Sequence, residues 1–141
     1  MTDDVAVNAG LARLHAAAFV MPRPWSAAEI AELLGNPMCF LVSVPAGFLI
    51  GRVVAGEAEV LTVAVDPVAQ GRGIGLGLVR GFLAEAAARG ADSAFLEVAD
   101  TNLAARAVYG RAGFAVTGCR RGYYAVTGGR AVDALAMTRK I

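Results

Sequence analysis

The chain has 141 residues, a formal net charge of +1, 57% apolar residues and two cysteines. That length suits one domain over residues 1–141, able to build a core without disulfides or metals, and the balanced charge gives no general attraction to nucleic acid. The apolar runs stop well short of the roughly 20 residues of a membrane span, and the acidic start Met-Thr-Asp-Asp lacks the basic region of a secretory signal, so a soluble, cytoplasmic protein is expected.

Val5 to Ala18 sets Leu11, Leu14 and Ala18 at helical spacing and predicts a first helix, ended by Pro22-Arg-Pro24. Ser26-Ala-Ala-Glu29 reads as a capping box that starts a second helix running to about Leu34, and Gly35-Asn-Pro37 stops it. Phe40 to Val44 and Phe48 to Ala55 are β-rich runs joined by Pro45-Ala-Gly47, a hairpin, and Glu59 to Val65 adds a third strand. A glycine-rich loop at 70 to 75 leads into a helix to about Arg89, with Gly90 at its end. Ser93 to Val98 predicts a strand and Asn102 to Arg111 a short helix closed by Gly113. Ala115 to Arg121 and Val132 to Arg139 then form a last antiparallel pair around a loop from Tyr123 to Arg130.

This order predicts a mixed α+β (α/β) sandwich with a mostly antiparallel sheet. The strands at 59–65 and 93–98 are linked through a helix and are therefore expected to be parallel. Such a pair can splay at its C-terminal ends, where a ligand enters. Cys39 and Cys119 form no Cys-x-x-Cys pair and are expected to be buried free thiols. His15 has no partner at ligand spacing, so no metal site is expected.

The most informative segment is Gln70-Gly71-Arg72-Gly73-Ile74-Gly75, between the strand ending at Val65 and an alanine-rich helix. Little side-chain bulk there lets backbone N–H groups converge, with the positive end of a helix dipole behind them, as a phosphate-bearing ligand requires. A nucleotide-triphosphate loop needs a Gly-Lys pair followed by Ser or Thr, which is absent. A dinucleotide fingerprint needs Gly-x-Gly-x-x-Gly; from Gly71 the third glycine comes one position early, and from Gly73 position 78 is Leu. A bland strand-to-helix connection carries similar letters and stays open on the loop alone. The pattern Gln-x-x-Gly-x-Gly, here Gln70, Gly73 and Gly75, resembles the pyrophosphate-binding signature of the GCN5-related N-acetyltransferase (GNAT) superfamily, which implies acetyl coenzyme A as cosubstrate.

From Val63 onward further motifs join it. Val63-Ala64-Val65-Asp66-Pro67, Leu96-Glu97-Val98, Asn102-x-x-Ala105, Tyr109, Gly113-Phe114, Arg120-Arg121-x-Tyr123-Tyr124 and Asp133-Ala134 stand in the order of RimI-type ribosomal-protein-alanine N-acetyltransferases. Upstream, Pro24-Trp25-Ser26 is similar to that group's segment before its second helix. The resemblance implies that the backbone at Val63, Ala64 and Val65 pairs with the pantetheine arm. The amides of Gln70, Gly71, Arg72, Gly73, Ile74, Gly75 and Leu76 would hold the pyrophosphate, and Asn102 would touch the cofactor from the other side. Asn102 also reads as a helix N-cap, and the two roles can coexist.

Tyr109 matches the family's proposed general acid, and transfer from a thioester needs one because the reaction releases a negative sulfur. Its alternative is a packed helix-face tyrosine. Glu97 matches the proposed general base. A carboxylate inside Phe95-Leu-Glu-Val98 needs a cleft or a partner, so its alternative is an arginine ion pair. Glu57 and Glu59 are reserve bases that read better as a solvated hairpin rim. A weak or relayed base suffices for a chain-terminal amine, because with a pKa near ~8 about a tenth is already neutral at pH ~7.

Arg120, Arg121, Tyr123 and Tyr124 are candidates to line an acceptor groove beside Gly128-Gly129, although exposed arginines also guard edge strands. Two departures from the resemblance leave acceptor specificity open: a short N-terminal region, and Ala99 where RimI sequences often carry Arg. The expected activity is acetyl transfer by direct attack to the N-terminal α-amino group of a protein, a small-subunit ribosomal protein being one candidate partner. The chain is expected to be a monomer or weak homodimer. The alternatives are an acetyltransferase acting on a small amine or antibiotic, and a non-catalytic acyl coenzyme A sensor.

Overall fold

The computed structural model describes residues 7–12, 25–124 and 131–141. Residues 7–12 are helical (α1). Leu14, His15 and Ala18 of the expected first helix, the Pro22-Arg-Pro24 turn and Gly128-Gly129 lie outside the described residues. The capping box at Ser26 forms as read: its hydroxyl accepts from the Glu29 amide at 3.1 Å and the Glu29 carboxylate accepts from the Ser26 amide at 3.2 Å. It opens α2 (Ala27–Leu34). The remaining elements are β1 (Cys39–Val44), β2 (Gly47–Val54), β3 (Glu57–Val65), α3 (Ile74–Ala88), β4 (Ser93–Ala99), α4 (Leu103–Arg111), β5 (Ala115–Tyr124) and β6 (Val132–Lys140).

The six strands form one sheet in the order β1-β2-β3-β4-β6-β5, and the parallel pair in it is β3 with β4. The last strand of the chain is therefore inserted beside β4, and β5 becomes an edge. That edge strand runs through to Tyr124, further than the sequence indicated, because Tyr124 still pairs with Val132. Its position also corrects the expectation for Cys119, which is exposed on the uncovered edge, whereas Cys39 is buried; both thiols are free. No described helix is long and apolar enough to cross a membrane.

Alternation along β2 separates two cores. Leu49 packs with Leu78, Val79 and Phe82 of α3 and with Tyr109 of α4, while its neighbours Phe48 and Ile50 pack with Ile30 of α2 and Leu11 of α1. Helices α3 and α4 thus cover one face, and α1 and α2 the other. Between β2 and β3 the register shifts: Ile50 faces Thr62 and Gly51 faces Val60, so Leu61 is an extra residue on β3. Such a bulge bends its strand and ends regular pairing. β3 and β4 accordingly pair from Glu57 with Ser93 to Glu59 with Phe95 and then part, while β4 stays paired with β6 up to Ala99. The expected splay is present, and the bulge marks where it opens.

Beside that bulge the rings of Phe40 and Phe82 stack at 5.8 Å between centroids. An ideal Cβ at Gly51 would lie 2.7 Å from carbons of both rings. Changing Gly51→Ala is expected to overpack this core and cost about 1–3 kcal/mol. A thermal melt of the variant checks it; an unchanged midpoint would mean the rings move aside freely.

Candidate active site

Two cavities lie where β3 and β4 part. The first is a cleft of about 290 Å³ between the end of β3, the glycine-rich loop, the start of α3 and one side of α4. Its walls include Val63, Ala64, Val65, Gln70, Gly71, Gly73, Ile74, Gly75, Leu76 and Asn102. Of the residues expected to bind cofactor, only Arg72 is not on this wall.

Local chemistry builds the loop. Asp66 caps a 3₁₀ turn, Pro67–Ala69, by accepting from the Val68 amide at 3.1 Å. The Gln70 carboxamide then donates to the Val65 carbonyl at 3.1 Å, tying the loop back to the end of β3. Gln70 therefore fixes the loop as well as bordering the cleft. Gly71 and Gly73 have φ of +82° and +79°, and a Cβ at either would meet nothing within 4 Å. Their glycines serve the backbone angle, and the space in front of them is open. Gly73 is the N-cap of α3 and brings no side-chain cap of its own, so the first helical amides lack that partner.

Across the cleft, the Asn102 side chain accepts from the Ala105 amide at 3.1 Å. The cap is present, and the same residue lies on the cleft wall. Sequence reading missed Ala104, Ala105, Val108 and Arg111, which also border it. Their spacing along one side of α4 was the available signal, weakened because alanines look alike on every face.

The second cavity, about 100 Å³, lies at the splay and is bordered by Trp25, Thr62, Val63, Glu97, Ala99, Tyr109 and Tyr124 among others. Val63 and Tyr109 border both cavities. The gap in the sheet acts as a window: Leu96 and Val98 face the α3 and α4 core, so Glu97 points to the opposite face, whereas Tyr109 arrives from α4.

Tyr109 is 5% exposed and packs edge-on against Phe114 at 6.0 Å. Burial, with a smaller contribution from Tyr124, pushes its phenol well above the usual value near 10.0. Burial also raises Tyr124, reinforced by the nearby Glu97 carboxylate and Tyr123 and opposed by Arg120. Glu97 has both a cleft and a partner: its carboxylate lies 3.4 Å from the Arg120 guanidinium, so the arginine pair weighed as its alternative is real and leaves it on the cavity wall.

The four residues of β5 expected at an acceptor groove separate. Tyr124 reaches the cavity, Arg120 contacts it through Glu97, and Tyr123 lies beneath the Arg120 guanidinium at 5.0 Å. Arg121, the neighbour of Arg120, borders neither cavity. Of the reserve bases, Glu59 pairs with Arg52 at 2.6 Å and Glu57 is exposed; neither borders either of these two cavities. Trp25 and Thr62 were not foreseen as cavity residues.

A bulged strand parts from its parallel neighbour beside a glycine loop at a helix start, with a buried phenol at the junction. The chain belongs to the acetyltransferase (GNAT) family, whose family model matches residues 10–114. It is 39% identical to N-alpha-acetyltransferase RimI of Mycobacterium tuberculosis over 137 residues, covering 91% of this chain and 83% of that protein. It is 41% identical to the ribosomal protein bS18-alanine N-acetyltransferase of Escherichia coli over 96 residues, covering 68% of this chain and 64% of that protein. The crystal structure of the ribosomal-protein-S18-alanine N-acetyltransferase from Escherichia coli superposes with a TM-score of 0.82 at 32% identity, covering 100% of this chain and 90% of that one. The chain is an acetyl-coenzyme-A-dependent N-acetyltransferase.

Proposed function

We propose that this enzyme acetylates the N-terminal α-amino group of a protein, a small-subunit ribosomal protein being the first candidate acceptor. The observation that carries the reading is the position of Tyr109 on the walls of both cavities, with Glu97 bordering the second. One cavity suits the cosubstrate and the other the amine. The open, side-chain-free space at Gly71 and Gly73 fits a pyrophosphate held by backbone amides, and the apolar walls from Val63, Val65, Leu76 and Val108 fit the pantetheine arm. The small second cavity favours the slender end of a chain over a bulky ring system.

In this reading the neutral amine attacks the thioester carbonyl in a ternary complex and the carbon–sulfur bond breaks. Glu97 receives the proton released by the amine. Tyr109, kept protonated by its burial, gives its proton to the departing thiolate. The two groups act from opposite faces of the sheet through the same gap. The relatives named for bS18-alanine and N-alpha acetylation support this acceptor class.

Thiol release from acetyl coenzyme A, measured with Ala- and Ser-starting peptides, N-terminally blocked lysine peptides, polyamines and aminoglycosides, tests it. Release with free N-termini alone is the expected result. Release with small amines only would move the enzyme to another acceptor class, and coenzyme A binding without release from any amine would point to a sensor.

A further inference from the structure

Glu97 and Arg120 stand on strands that are not neighbours. β6 lies between β4 and β5, and at a strand spacing of about 4.8 Å their backbones are about 10 Å apart. The register puts Glu97 opposite Ala136, itself opposite Gly118, and Ala99 opposite Ala134, itself opposite Arg120. Residues opposite one another share a face, so the ground between the two charged residues is floored by Ala134, Ala136 and Gly118. Nothing on that floor is larger than a methyl group. The two long side chains meet across it at 3.4 Å, and the guanidinium rests on the Tyr123 ring at 5.0 Å.

Arg120 does not border the cavity, and Glu97 does. A guanidinium stays charged at any working pH, so it cannot take the proton of an amine and must act through its partner. With side chains 62% and 33% exposed, the pair is a solvated one that exchanges readily with another cation. The other titratable groups on the wall of that cavity are Tyr124 on β5 and Tyr109 on α4.

We propose that Arg120 is a positioning residue that holds the Glu97 carboxylate at the mouth of the second cavity by one oxygen and leaves the other to the acceptor's ammonium group. Acceptor binding then sets two cations in competition on one carboxylate. Tyr123, already beneath the guanidinium at 5.0 Å, steadies it in that place. The inference rests on the reading of Glu97 as the group that meets the amine.

The test is steady-state kinetics with a short Ala-starting peptide for wild type, Arg120→Gln, Arg120→Lys, Glu97→Gln and the double variant. Arg120→Gln should lower kcat about tenfold, because a carboxylate left unheld is misplaced by a fraction of an ångström or more. Its acceptor KM should fall severalfold, since the competing cation is gone, and its acetyl coenzyme A KM should stay put. Arg120→Lys should recover most of kcat. In the Glu97→Gln background, removing Arg120 should change nothing further. A raised acceptor KM with unchanged kcat, or an equal Arg120→Gln effect in the Glu97→Gln background, would overturn the proposal and leave the Glu97 reading standing. Full activity of Glu97→Gln would remove both.

Discussion

Tyr109→Phe should lower kcat by about 10²–10⁴-fold, the usual worth of one positioned proton donor, while the affinity for coenzyme A changes little. The side chain is almost wholly buried and packs on Phe114, and phenylalanine keeps that packing. Only the donor is lost. Because burial raises the folded-state pKa of the phenol, the sign of its pH effect is fixed. The protonated form is favoured by folding, so its contribution to stability is complete below the unfolded value near ~10 and is lost as pH rises through the higher folded value. Wild type should therefore lose stability more steeply than Tyr109→Phe above pH ~10. Below that pH, no alkaline decline of kcat should belong to Tyr109. Turnover, coenzyme A titration and alkaline unfolding of the two proteins check these expectations; unchanged turnover would remove the role assigned to the phenol.

Gly73→Val should raise the acetyl coenzyme A KM by about 10–100-fold, corresponding to roughly 1–3 kcal/mol of backbone strain released by leaving the binding conformation. The argument is conformational. At φ of +79° a β-branched residue is strained although no protein atom lies within 4 Å of its Cβ, so the loop would relax out of its present conformation. Gly73→Asn separates the angle from the bulk, since asparagine tolerates the left-handed region. It should retain much more affinity than the valine variant. If the two variants bind acetyl coenzyme A alike, the added side chain and not the backbone angle sets the loss. Calorimetric titration with coenzyme A, alongside melting curves showing both variants folded, makes the distinction.

Much of the site was legible because its chemistry is local. The capping box at Ser26, the Asn102 cap and the loop from Gln70 to Gly75 are short-range patterns, and each appears where the letters placed it. Glu97 drew notice as a lone carboxylate among strand apolars, and the structure gives it both a cavity and a cation. The weaker expectations depended on packing. Arg120, Arg121, Tyr123 and Tyr124 look alike as a cluster, yet strand alternation and the irregular pairing between Arg120 and Tyr124 send them to different surroundings. Cys119 looked like a core thiol until β5 proved to be an edge.

The sequence by itself determined the element order, the caps at Ser26 and Asn102 and the glycine loop at the start of α3, because spacing, capping and side-chain type carry that information directly. Only the tertiary structure decided that β6 inserts between β4 and β5, that Leu61 bulges where the parallel pair opens, and that Glu97 and Tyr109 border one cavity at that opening. Strand order and register are set by how two cores fill on either side of the sheet, a property of the whole packing. The alanines at 134 and 136 say nothing as letters, yet by being small they let Arg120 reach Glu97 across a strand.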